Sequence, residues 1–318
     1  MTSVADTPLV VAVVGPTAVG KTALSLRIAA AIGGEIVCAD SRQVYRYLDI
    51  GTGKPTAAER SVAPHHMLDL VAPDEAFDVA DYARRARRAI ADIAARGRPV
   101  VLCGGSGLYV KAVLRGVFPG PKAVPALRRR LQAEDDPPGT LHRRLAQCDP
   151  GAAARIHARD LVRVIRALEV FELTGRPISA WQRDHGFGET PYRRMAIGLA
   201  GDRGALRAAI AARCADMVRL GLPDEVRGLW ARGYGPELPA LRTLGYRHMG
   251  AHLRGECTME GALADMVADT CQYAKRQLTW FRRDPEITWF DAGAGAKAAL
   301  RGACDFAANG GGRRGSGG

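Results

Sequence analysis

The sequence predicts an α/β fold in which a parallel sheet is covered by helices on both faces and interrupted by an inserted helical domain. Two observations predict it. Short apolar, β-branched runs alternate with stretches of helical periodicity over residues 9–105, and Arg-rich helical segments then replace the strand signal until an apolar run returns at 194. Strands that alternate with helices pair in parallel, and a parallel sheet is buried on both faces, so its strands read as nearly continuous apolar runs.

The first strand is LVVAVV, residues 9–14, which ends at Gly15, and residues 21–31 carry apolar positions at helical spacing. After Gly33 and Gly34, EIVCAD (35–40) is a second strand that terminates in a carboxylate. A long helix is predicted from Asp78 to Arg96, stopped by Gly97, and PVVLCGG (99–105) is a third buried strand. Pro/Gly clusters at 119–125 and 186–191 bound the helical insertion. RMAIGLAG (194–201) brings the chain back to the sheet, and three helices are predicted at 204–220, 223–233 and 260–283. The catalytic core is therefore expected over 1–117 and 195–292 and the inserted domain over 118–194. The tail, 293–318, offers Gly, Ala and Arg with little to bury and is expected to be disordered.

A chain of 318 residues with 47% apolar content can bury a sizeable core. Its 45 basic and 33 acidic residues leave a formal charge of +12, which suits a polyanion because Lys and Arg displace the counterions condensed on phosphates. Solvated basic faces would give the same balance. Seven Cys show no C-x-x-C pair and no His at metal-ligand spacing, which points to a reduced cytosol. The run at 9–14 is too short to span a bilayer and leads straight into a glycine motif, so a cytoplasmic protein without membrane association is expected.

Gly15-Pro16-Thr17-Ala18-Val19-Gly20-Lys21-Thr22 fits G-x-x-x-x-G-K-[ST] in full, after a strand and before a helix as the motif requires. The sheet is thereby P-loop NTPase-like. Its glycines let successive backbone N–H groups and the helix N-terminus point at phosphate oxygens, Lys21 adds a point charge, and Thr22 can hold Mg²⁺. The motif specifies a polyphosphate without saying which one. Asp40 ends the strand after the P-loop helix, where ligands of such sheets collect. In a small-molecule or nucleotide kinase it would serve Mg²⁺ or act as base toward a hydroxyl. In an N-alkyltransferase it would take a proton from an attacking amine. A non-catalytic P-loop RNA-binding protein is a third reading, and these residues leave all three open.

The run from Asp40-Ser41-Arg42-Gln43 through Lys54-Pro55-Thr56 closely resembles the tRNA dimethylallyltransferase (isopentenyltransferase) family. The resemblance continues in family order through His65-His66-Met67-Leu68-Asp69, GGSGLY at 104–109, RVIRALEV at 163–170, Leu244-Gly245-Tyr246 and QYAKRQLTWFR at 272–282. It covers nearly everything but the tail. The chain departs from the family's usual residues at Val162 (commonly Gln), Ser106 (commonly Thr) and Cys271 (often Arg), which affects individual tRNA contacts and none of the expected acids, bases or phosphate ligands.

The resemblance implies transfer of a dimethylallyl group from dimethylallyl diphosphate to the N6 amine of the adenosine 3′-adjacent to the anticodon, with release of diphosphate. Asp40 is then the proton acceptor, and Lys21, the P-loop amides, Mg²⁺ on Thr22 and Arg213 receive the leaving charge. Ser41, Arg42 and Gln43 would border the adenine, and Ser106 would make a further tRNA contact. Arg128, Arg163, Arg166, Arg242, Gly245, Tyr246, Arg247, Gln272, Lys275 and Arg276 would meet the tRNA. Gln272, Arg276, Thr279 and Arg283 recur at helical spacing on one face. The expected partners are the tRNA anticodon stem-loop and dimethylallyl diphosphate, acting on a monomer. His65, His66, Trp280 and Trp289 are read as structural.

Overall fold

The computed structural model describes residues 7–311. Two compact units divide the chain: residues 1–114 with 190–318, and residues 115–189. The first unit carries, in chain order, β1 (Leu9–Val14), α1 (Lys21–Ile32), β2 (Glu35–Cys38), α2 (Ala57–Val62), β3 (His65–His66), α3 (Val79–Ala95), β4 (Val100–Gly104) and α4 (Gly107–Arg115). The second consists of α5 (Pro125–Ala133), α6 (Thr140–Cys148), α7 (Pro150–Ala153), α8 (Leu161–Thr174) and α9 (Ile178–His185). The chain then returns to the first unit with β5 (Arg193–Ala200), α10 (Arg203–Arg219), α11 (Leu222–Ala231), α12 (Tyr246–Leu253), α13 (Met259–Phe281), β6 (Ile287–Asp291) and α14 (Ala296–Gly311).

Six strands form one sheet in the order β3-β2-β4-β1-β5-β6, with every adjacent pair parallel. Helices cover both faces, so Val10 through Val14 at its centre are at most 1% exposed. The register brings Val14 of β1 level with Gly104 of β4 and Gly198 of β5, and Cys38 of β2 level with Cys103. The chain therefore leaves β1, β2 and β4 at one edge of the sheet, which places Gly15, Asp40 and Gly105 close together. Gly104 permits this closeness: a Cβ there would lie 2.0 Å from the Ala39 carbonyl oxygen.

Local chemistry sets the element ends. Asp78 caps α3 by accepting from the N–H groups of Ala80 and Asp81, a cap worth about 0.5–2 kcal/mol. In the helical unit Asp160 caps α8 and Gly175 ends it in the left-handed conformation. That unit has its own core of Leu131, Leu141, Leu145, Val164 and Leu168. Buried Asp149 satisfies both its oxygens within it, accepting from the N–H groups of Ala152 and Ser179.

The tail differs from expectation. Residues 287–291 add a sixth strand, and residues 296–311, expected to be disordered, form a helix packed on α1 and the sheet. Ala299 and Ala303 are fully buried there, because small side chains let the helix approach closely. Residues 312–318 of that predicted tail lie outside the described residues. The two-residue strand β3 and helix α12 were also absent from the sequence reading. Among the described residues no helix is long and apolar enough to cross a membrane.

A candidate substrate cleft at the carboxyl edge of the sheet

The loop between β1 and α1 has the backbone that its glycines allow. Gly15 has φ +142° and its missing Cβ would lie 2.5 Å from the Leu199 carbonyl oxygen. Gly20 is the left-handed N-cap of α1, and Ala18 also has positive φ, an uncommon conformation for a residue with a Cβ. Lys21 folds back over the loop and donates to the Pro16 carbonyl at 2.6 Å. Burial is the main reason its ammonium pKa falls to about 8, with the Arg213 charge adding to the effect and Asp40 opposing it. A polyanion in the loop would remove that penalty.

Lys21, Thr22, Asp40, Gln43 and Arg213 line one cleft together with Thr17, Tyr273 and Gln277. Asp40 accepts the Arg42 N–H through Oδ1 at 2.8 Å, and Oδ2 accepts no hydrogen bond among the described residues. One oxygen thus fixes the loop and the other remains for a proton. Ser106 holds the neighbouring backbone by accepting the Ser41 N–H at 2.9 Å. Gln43 spends its amide N–H groups on the carbonyls of Thr52 and Gly53, which leaves its side-chain oxygen as an acceptor. Arg213, on α10, has no carboxylate partner among the described residues and lies against Gly53.

A second, adjoining cleft of about 300 Å³ shares Thr17, Asp40, Arg213 and Tyr273 with the first and adds Arg42, Arg242, Arg247 and Arg276. Its apolar wall comes from Ile210, Met217, Leu244 and Met266. Gln272, Lys275, Arg276 and Thr279 are exposed on α13, and Arg247 is ion-paired with Asp269. Tyr246 stands differently from expectation. It is buried and donates to Glu225 at 2.5 Å, so its ring cannot meet an RNA; Gly245, also buried, begins α12 with positive φ.

Three residues of importance were not singled out from sequence. Tyr273 borders both clefts, its phenol pushed up to about 12 by burial and the nearby Asp40 charge. Gln277 accepts the Thr17 N–H and donates to the Gly105 carbonyl, both at 2.9 Å, which ties α13 to the P-loop. Both lie inside the 272–282 motif, where helical phase relative to exposed Gln272 and Arg276 was the available signal. Glu225 had no such signal. His65 and His66 are held in β3 through the Ala63 carbonyl and Glu35, and Trp280 packs against Gly107 while remaining 39% exposed.

In the helical unit, Arg128 and Arg166 converge on fully buried Glu169. Their charge is spent largely inside that unit. The Arg163 side chain is 65% exposed and makes a 3.3 Å contact with Asp160.

The family model for IPP transferases matches residues 43–284. The chain belongs to the IPP transferase family. Similar members include the tRNA dimethylallyltransferase of Syntrophobacter fumaroxidans, 52% identical with 90% of this chain and 84% of that protein aligned. That of Desulfosudis oleivorans is 50% identical, with 89% and 91% aligned. The tRNA isopentenylpyrophosphate transferase of Bacillus halodurans superposes with a TM-score of 0.70 at 40% identity, covering 95% of this chain and 96% of that one. A eukaryotic dimethylallyltransferase acting on tRNA gives 0.82 at 25% identity, with 95% and 80% covered.

For an IPP transferase the metal question turns on donors. Among the described residues no group of three or more His, Cys, Asp and Glu converges. Mg²⁺ needs less, because it keeps waters and takes most other ligands from phosphate. Thr22 offers a hydroxyl in the cleft, and one helical turn on, Ser25 Oγ is buried beside the Cys103 thiol. These donors fit Mg²⁺ bound chiefly through a polyphosphate.

Proposed function

We propose that the protein transfers a dimethylallyl group from dimethylallyl diphosphate to the N6 amine of the adenosine 3′-adjacent to the anticodon in tRNA, releasing diphosphate. The observation that carries the reading is the convergence in one cleft of a P-loop, an arginine without a carboxylate partner among the described residues, and a half-free carboxylate. Relatives of this length and identity, named for that activity, support it.

In the transfer, the amine nitrogen bonds to the allylic C1 as the C1–O bond to diphosphate breaks, and the amine proton goes to Asp40. The exocyclic amine of adenine is a poor nucleophile because its lone pair is delocalised into the ring, so a placed proton acceptor matters; Oδ2 of Asp40 is that acceptor. The departing oxygens meet the P-loop N–H groups, Lys21 and Arg213. Mg²⁺, when bound through Thr22, would neutralise further charge on diphosphate. Holding amine and C1 in line supplies on the order of 7–11 kcal/mol toward the barrier. A P-loop here retains a leaving group, so ATP is neither substrate nor fuel.

The amine is reached only when its base leaves the stack of the anticodon loop. Arg42, Arg242 and Arg276 around the second cleft supply phosphate contacts or guanidinium faces, and the Gln43 oxygen can accept from a base edge. Arg163, exposed on the helical unit, offers a further cation for RNA phosphate.

Incubating the protein with Mg²⁺, labelled dimethylallyl diphosphate and unmodified tRNA, followed by nucleoside analysis, tests the proposal. Label is expected on adenosine. Absence of label with a competent tRNA, or phosphoryl transfer from ATP to a small acceptor, would overturn it.

A further inference from the structure

We infer that Glu225, which borders neither cleft, is a positioning residue for the transfer: its carboxylate fixes the 49–53 turn against which Arg213 rests. The inference rests on the proposed function, since it concerns how that reaction's leaving-group cation is held in place.

Glu225 lies in the first turns of α11, 174 to 176 residues along the chain from the turn it holds. Its Oε2 accepts the N–H groups of Asp49 at 3.1 Å and Ile50 at 2.8 Å, and its Oε1 accepts Gly51 N–H at 3.3 Å. Tyr246 completes the set, donating its hydroxyl to Oε1 at 2.5 Å. A carboxylate has about four acceptor sites, and here all are engaged. Three successive N–H groups converging on one anion form a backbone nest, a geometry that a neutral amide cannot satisfy because its NH₂ faces donors.

Tyr246 does more than donate. Its ring seats the turn so closely that a Cβ on Gly51 would lie 2.4 Å from it. Burial, and then the Glu225 charge, push the phenol far above its ordinary range, so it remains a donor throughout the working pH range.

The far side of the turn is the functional one. Its Thr52 and Gly53 carbonyls receive the Gln43 amide, and Gly53 is the surface on which the Arg213 guanidinium lies. Arg213 lacks a carboxylate partner among the described residues, so packing against Gly53 sets where its charge stands. Lys54 braces the same turn from within through Asp49, Asp69 and the Tyr45 carbonyl. The turn therefore survives loss of Glu225, but its backbone donors are left to find other partners and its position relaxes. Displacements on the order of 1 Å at a reacting centre cost about a hundredfold in rate.

The test is a double-mutant cycle of Glu225→Gln and Arg213→Ala, read as single-turnover rate per folded enzyme beside thermal melting and substrate affinities. Glu225→Gln is expected to lower the transfer rate by roughly ten- to a hundredfold, with KM for tRNA and for dimethylallyl diphosphate changed less than about threefold. In the Arg213→Ala background it should cost less than about threefold more, because the group it positions is gone. A merely structural glutamate would lower the melting temperature, leave the rate per folded molecule intact, and multiply with Arg213→Ala. Either an intact rate or multiplicative effects would overturn the inference. Tyr246→Phe keeps the three backbone contacts and stands in if Glu225→Gln does not fold; it is expected to reduce the rate about two- to fivefold with the same non-additivity. An unchanged Tyr246→Phe rate counts against the inference. Wild-type protein that does not label tRNA overturns the proposed function, whereas labelling that Glu225→Gln leaves undiminished overturns only the role of Glu225.

Discussion

The Nη2 atom of Arg213 lies 2.1 Å from where a Cβ on Gly53 would be. Glycine at this position leaves the space in which the guanidinium stands, and φ +59° disfavours any other residue besides. Gly53→Ala should therefore push Arg213 aside and lower the transfer rate by roughly ten- to a hundredfold, approaching the loss of a leaving-group donor. The backbone strain should cost about 1–2 kcal/mol. Rate measurements with thermal melting separate the two, and a melted-down protein with full rate per folded molecule would contradict the geometry.

The state of Lys21 predicts a pH dependence. In the free protein its ammonium pKa is lowered to about 8, chiefly by burial, and a bound polyanion raises it again. Below about pH 8 the group is already charged, and Lys21 adds no pH dependence to diphosphate affinity. Above it, binding must take up a proton, so affinity should fall as pH rises, with a slope of up to about one decade per pH unit until the pKa of the complex is reached. Calorimetry of diphosphate binding in buffers of different ionisation enthalpy reads the uptake directly. Lys21→Met should abolish it; persistence of the uptake in that variant would assign it to another group.

The first of these relationships was not visible in the sequence, and the second was only partly so. Gly15 to Thr22 was legible because the motif is local: glycine spacing and an apolar run dictate a strand, a loop and a helix wherever they occur. Asp40 followed from its place at a strand end. Arg213 came from resemblance, and its seat on Gly53 requires two segments 160 residues apart. Glu225 is more distant still, an acidic residue in the first turn of a helix, where the helix dipole alone would explain it. Tyr246 shows the limit of motif matching, which locates a residue without saying which way its side chain points; this one turns inward. The last strand and helix were missed because ITWFD is short and follows Pro285, and because Gly/Ala-rich sequence resembles a linker until it is seen packing closely.

Asp40→Asn isolates the proton acceptor. An asparagine oxygen can still accept the Arg42 N–H, so the loop should hold its shape. Binding of tRNA should persist while the transfer rate drops about 10²- to 10⁴-fold, the usual worth of a placed general base. Turnover near the wild-type rate would remove Asp40 from that role.

The C-terminal helix should matter to stability. Ala299 is completely buried, and Ala299→Asp would place a carboxylate without a partner among apolar neighbours, at a cost of several kcal/mol. A fall in melting temperature of more than about 5 °C is expected. A shift under about 2 °C would mean that α14 does not pack as described.

Arg163 and Arg128 offer a contrast within the helical unit. Arg163 is 65% exposed and its contact with Asp160 is a solvent-exposed pair worth at most about 1 kcal/mol, so its charge is available to a phosphate. Arg163→Ala should weaken tRNA binding and lower the slope of log affinity against log salt by roughly 0.7 to 0.9, the share of one released phosphate contact. Arg128 instead donates twice to Glu169, which is fully buried and also held by Arg166 and the Val124 N–H. Arg128→Ala should destabilise the unit by about 1–3 kcal/mol, since part of a buried carboxylate loses its donors, and leave the salt slope near its wild-type value. Binding titrations over a range of salt, beside thermal melts of both variants, decide the matter. A slope change for Arg128→Ala equal to that of Arg163→Ala would show that the ion pair opens to engage RNA.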